Sequence, residues 1–115
     1  MKWGQNGIIN FPTTGYWWIH ALGSTTHSGS SDYFMLSVFT TVDNGSNWPG
    51  KWEGQWSSHE NNRRCGSMVS AFVKILDINT HKAKFAIDSH NAGGTKFVNT
   101  TTNRFWFSFV KLSDI

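Results

Sequence analysis

Lys51-Trp52-Glu53-Gly54-Gln55-Trp56-Ser57-Ser58-His59-Glu60 alternates more regularly than any other stretch of this chain. Trp52, Gly54, Trp56 and Ser58 share one face, and Lys51, Glu53, Gln55, Ser57 and His59 share the other. A period of two is the mark of a strand, since successive side chains leave a pleated backbone on opposite sides. The residue types say that one side is buried by tryptophans and the other meets water.

Working outward, the same period recurs on both sides. Gly15 to Leu22 follows a Pro-Thr-Thr-Gly punctuation and reads as a strand, and residues 23–31, small and polar, read as a flexible connection. Asp32 to Val42 points Phe34, Leu36, Val38 and Val42 one way, before a turn at Asp43-Asn44-Gly45. After a polar connection from Asn61 to Gly66, Ser67 to Asn79 alternates apolar residues on both faces, which predicts a central strand covered on both sides or bent by a bulge. Ala83 to Ser89, Thr95 to Thr100 and Arg104 to Ser113 complete the set, with a hairpin turn at Asn91-Ala92-Gly93-Gly94. About seven strands and no convincing helix predict an all-β fold, an antiparallel β-sandwich or jelly-roll-like domain over residues 15–115. A small closed barrel is the alternative. Residues 1–14 read as a lead-in segment.

Composition sets limits on function. Of 115 residues, 18 are aromatic (nine Phe, seven Trp, two Tyr), and only 15% are charged, against roughly 25% in an average soluble domain. Normal apolar content excludes intrinsic disorder, and the scarcity of Ala, Leu and Glu excludes a coiled coil. The net charge of +3 is spread thinly, with Arg63-Arg64 as the single basic doublet, so a nucleic-acid partner is not expected. One cysteine permits no internal disulfide. Met1 to Gly15 lacks a signal-peptide pattern, and no apolar run reaches membrane-spanning length, so neither export by a leader nor membrane insertion is expected.

Catalysis finds little support. Glu53, Glu60 and five Asp stand in no cleft motif, Cys65 has no spacing that ties it to a base, and zinc, phosphate-loop and nucleotide signatures are missing, so neither enzyme activity nor a cofactor is expected. Binding candidates are better. Trp48 lies in Asn44-Gly45-Ser46-Asn47-Trp48-Pro49-Gly50, where Gly and Pro exclude regular structure, so Trp48 and its neighbour Asn47 sit on a loop. An indole on a polar loop suits a sugar face, or else caps the sandwich. His59, Asn61, Asn62, Arg63 and Arg64 form the most polar stretch, with donors and acceptors fit for hydroxyl groups or carboxylates. A plain solvated connection has the same composition.

The order of elements resembles the C-terminal receptor-binding domain of tailed-phage tail fibre proteins. Gly15-Tyr16-Trp17-Trp18-Ile19-His20-Ala21 is similar to the Gly-aromatic-aromatic-x-Ile-Ala strand that opens such domains. Val73-Lys74-Ile75, then Lys82-Ala83-Lys84-Phe85-Ala86-Ile87, and a closing aromatic strand around Trp106 continue the pattern. The resemblance implies a β-sandwich at the tip of a homotrimeric fibre on the virion, binding a bacterial surface glycan or protein for host attachment. The His-x-His metal pattern of some fibre tips is not present, because the five histidines are never two apart. Two other readings stand beside it: a virion structural or assembly protein whose aromatics serve subunit contacts, and a small-barrel binder of single-stranded nucleic acid.

Overall fold

The computed structural model describes residues 2–3, 7–27, 33–55, 57–58, 63–89, 95–96 and 105–115. In chain order the strands are β1 (Lys2–Trp3), β2 (Ile8–Asn10), β3 (Gly15–His27), β4 (Tyr33–Thr41), β5 (Gly50–Glu53), β6 (Ser57–Ser58), β7 (Arg63–Ile75), β8 (Lys82–Ser89), β9 (Thr95–Lys96) and β10 (Phe105–Ser113). Seven span three or more residues, and no α-helix occurs among the described residues. One antiparallel sheet runs β1-β2-β8-β4-β5 with β6 on β4, and the other runs β10-β3-β7 with β9 on β3. The domain is an all-β sandwich.

Between the sheets lie the residues that alternation turns inward. Trp17, Ile19 and Ala21 come from β3, Val69, Ala71, Val73 and Ile75 from β7, Leu36 and Val38 from β4, and Ala83 from β8, all buried. Ile9 and Phe11, inside the stretch read as a lead-in, complete this core, and β2 pairs with β8 through Ile9↔Ala83. Trp52, Phe85 and Phe109 pack against its margin.

Several boundaries differ from the sequence reading. Gly23–His27 belongs to β3 and is not a connection, because β7 pairs it along one edge, and backbone bonds do not depend on large side chains. Val42 leaves β4 and is 60% exposed. β7 begins at Arg63 and ends at Ile75, so Ile78 stands in an exposed turn. It is also an edge strand rather than a central one, and its second apolar face is open.

The alternating stretch from Lys51 to Glu60 holds two short strands, while Trp56, His59 and Glu60 lie outside the described residues. β5 ends at Glu53, and the next two residues leave the ladder to stitch the sheets together. The Gly54 N–H donates to the Leu36 carbonyl at 2.8 Å, and the Gln55 N–H donates to the Met68 carbonyl at 3.0 Å. Between them the buried Ser67 hydroxyl accepts from the Leu36 N–H (3.0 Å) and donates to the Gln55 carbonyl (2.7 Å). Gly54 is required because a β-carbon there would lie 2.5 Å from the Met68 oxygen and 2.7 Å from the Leu36 oxygen, both backbone atoms.

Gly54→Ala is expected to cost about 3 kcal/mol by forcing this corner apart. Ser67→Ala, which strands a buried N–H and a carbonyl, should cost about 2 kcal/mol. Urea unfolding midpoints measure both, and a Gly54→Ala protein as stable as wild type would refute the corner.

Candidate functional site

β3 is flanked by β7 in regular register and by β10 in regular register from Phe105 to Lys111, so its outward residues form rungs with theirs. Tyr16 lies opposite Lys74, Trp18 opposite Phe72 and Val110, His20 opposite Ser70 and Ser108, and Leu22 opposite Met68 and Trp106. Side chains directly opposite across a ladder are in contact range. Trp18 and Phe72 hold their rings nearly parallel, 18° apart at 6.4 Å between centroids. His20 stands between two indoles, 5.6 Å from Trp18 and 5.3 Å from Trp106, and its Nδ1 is 2.7 Å from the Ser70 hydroxyl oxygen. Lys74 carries its ammonium 5.6 Å from the Tyr16 ring centre.

This outer face is open. Phe72 is 65% exposed, Met68 43%, Tyr16 41% and Trp106 38%. No carboxylate occupies these rungs, and Lys74 and His20 supply their basic groups. The face therefore combines ring surfaces, hydroxyls and positive charge. The sequence signal for it was present in the doubly apolar pattern of β7 and β10, which reads as burial on both sides until the strand order is known.

The loop of Trp48 lies on the other sheet. Asn44 (φ 57°) and Gly45 (φ 91°) take the left-handed conformation that the Asn-Gly pair permits. The Asp43 carboxylate accepts from the Thr41 hydroxyl (2.6 Å) and from the Asn47 backbone and side-chain N–H groups (both 2.9 Å). These bonds, with Thr41 first, hold its pKa down to about 2 from an ordinary 3.8. Asn47 thus spends its amide inside the loop. Trp48 is half-buried, with the Lys84 ammonium 4.2 Å from its ring centre. A β-carbon on Gly45 would touch the same ring at 3.4 Å.

The remaining sequence candidates do not join Trp48 in a described site. His59, Asn61 and Asn62 lie outside the described residues. Arg63 and Arg64 open β7, opposite His27 and Thr26, and are strand rather than loop. Glu53 is exposed and paired with Lys51 at 2.9 Å. Among the described residues no cluster of His, Cys, Asp or Glu is arranged to hold a metal ion, and no helix is long and apolar enough to cross a membrane. Comparison with protein-family models, curated proteins and solved structures gives no match.

The Asp43 network has a pH signature. Its folded pKa is depressed, so its contribution is complete above about 3.8 and is lost as pH falls through about 2. Amide shifts of Asn47 followed by NMR on acidification should titrate near 2. A midpoint at the ordinary carboxylate value would show that the hydrogen bonds do not hold in solution.

Proposed function

We propose that this domain is a receptor-binding module of a phage tail fibre, which attaches the virion to a glycan on the bacterial surface without altering it chemically. The observation that carries the reading is the outer face of β10-β3-β7. A free face of an antiparallel sheet ordinarily turns polar residues to water, yet this one presents Tyr16, Trp18, Phe72 and Trp106. Aromatic rings match the apolar faces of pyranose rings, and His20, Ser70, Ser108 and Lys74 are interleaved to meet the hydroxyl groups. The element order from Gly15 to the closing aromatic strand supports the fibre-tip part of the reading.

A second reading is favoured by the aliphatic members of the same face, Leu22, Met68 and Val110. On that reading the face is the seam of a homotrimer, which fits exposed apolar area in a domain short of surface charge. The receptor would then be held elsewhere, and the Trp48 loop is the next aromatic contact to examine.

Binding of the purified domain to host cells or arrayed glycans tests the first reading. Trp18→Ala should weaken it at least tenfold, about 1.4 kcal/mol. Loss on Trp48→Ala with Trp18→Ala unaffected would move the contact to the loop. Light scattering separates the two uses of the face. A monomer leaves it free for sugar, and a trimer dissociated by Trp18→Ala assigns it to the seam.

A further inference from the structure

Where β5 and β7 face one another as edge strands of the two sheets, a groove of about 290 Å³ opens. Thr40, Trp52, Phe72, Lys74, Ile75 and His81 line it. Ligand sites for whole drug-sized molecules begin near 300 Å³, so this groove has room for one small ring. Phe72 belongs to both surfaces. It stacks on Trp18 in the aromatic face and borders the groove, so the two are continuous.

The polar lining consists mainly of donors. Lys74 brings an ammonium group. His81 Nδ1 lies 3.1 Å from the Leu76 N–H and 3.3 Å from the Lys74 carbonyl oxygen, and in the tautomer that accepts the shorter, Leu76 bond the ring donates through Nε2–H. Thr40 adds a hydroxyl. Among the described residues no carboxylate lines the groove, and those nearest in the chain are engaged locally, Asp43 by Thr41 and Asn47, Glu53 by Lys51 at 2.9 Å, and Asp77 by the Asn79 N–H at 2.8 Å. One ammonium and a neutral imidazole donor beside the rings of Trp52 and Phe72 are complementary to a ligand that joins a ring to a negative charge.

We propose that this groove is a subsite for one acidic sugar residue of hexuronate type, contiguous with the glycan held on the aromatic face. The inference rests on the glycan-binding reading of that face. It adds a charge preference that the face alone does not supply. The carboxylate pairs with Lys74 and the His81 N–H, and the pyranose ring lies between Trp52 and Phe72.

The test is a titration of the intact domain with glucuronate, glucose and acetate, followed by backbone amide NMR. Glucuronate should shift amides of residues 40–42, 52 and 72–75, with a dissociation constant of about 1 mM, and glucose and acetate should each bind at least tenfold more weakly. Lys74→Gln, an exposed substitution, should abolish the preference for glucuronate over glucose. No shift at these amides up to about 20 mM glucuronate would overturn the proposal, as would acetate binding equal to glucuronate, or a preference that survives Lys74→Gln. Failure here with glycan or cell binding still lost in Trp18→Ala removes the subsite and leaves the face. Failure of both removes the glycan reading altogether.

Discussion

The corner at Ser67 governs how the two sheets meet. A serine hydroxyl takes the place of a backbone group, accepting from Leu36 in one sheet and donating to Gln55, whose own N–H reaches Met68 in the other sheet. Buried backbone groups at a sheet edge must find partners or cost free energy. Here the partners come from the facing sheet, which draws β4 and β7 together. Only glycine fits at position 54, since two carbonyl oxygens occupy the place of its side chain. The groove that Trp52 and Phe72 share opens between the same two sheets, further along β5 and β7.

The second organising element is β3, paired along one edge with β7 from Gly15 to His27 and along the other with β10. Its inward residues Trp17, Ile19 and Ala21 sit in the core, and its outward residues are therefore aligned on one plane. A slip of one residue would bury Trp18 and His20 and expose Ile19. The same register that places the core also places the aromatic face, so neither can be altered alone. β10 relaxes the rule near the chain end, where a shift between Lys111 and Ser113 takes Leu112 out of the rungs.

Alternation groups the residues of each face without saying which face is inner. Val69, Ala71, Val73 and Ile75 lie where a period of two puts them, as do Trp17, Ile19 and Ala21. What alternation misses are features fixed by partners distant in the chain. Gly54 fits the pattern of Trp52 and Trp56, yet its backbone is claimed by Leu36 and Met68. Ile9 and Phe11 are too few to show periodicity; Ile9 is placed by β8, more than seventy residues later, and Phe11 packs on Trp17 at 5.5 Å between ring centroids. The Trp48 loop is legible from its Asn, Gly and Pro, while the cation over its ring comes from Lys84 on another strand. The aromatic face was visible as apolar residues on both sides of β7 and β10, but strand order decides whether such a side is covered.

The two outer faces argue together for what that open side does. On the larger sheet, Lys51 and Lys84 lie 5.4 and 5.7 Å from the Phe39 ring centre, Lys84 also lies over Trp48, and Glu53 pairs with Lys51. Aromatic rings on that face carry charged side chains that keep water at the surface. On the smaller sheet, Lys74 over Tyr16 is a corresponding contact, and Trp18 stacks on Phe72 while Trp106 packs at a tilt on His20. If the low charge content of the chain merely reflected a weakly polar surface, both faces would show it. The faces differ instead: rings on the larger sheet lie under Lys51 and Lys84, whereas on the smaller sheet Phe72 and Trp106 stay exposed with Lys74 as their charged neighbour, and exposed apolar area of this kind is what the proposed contact would use.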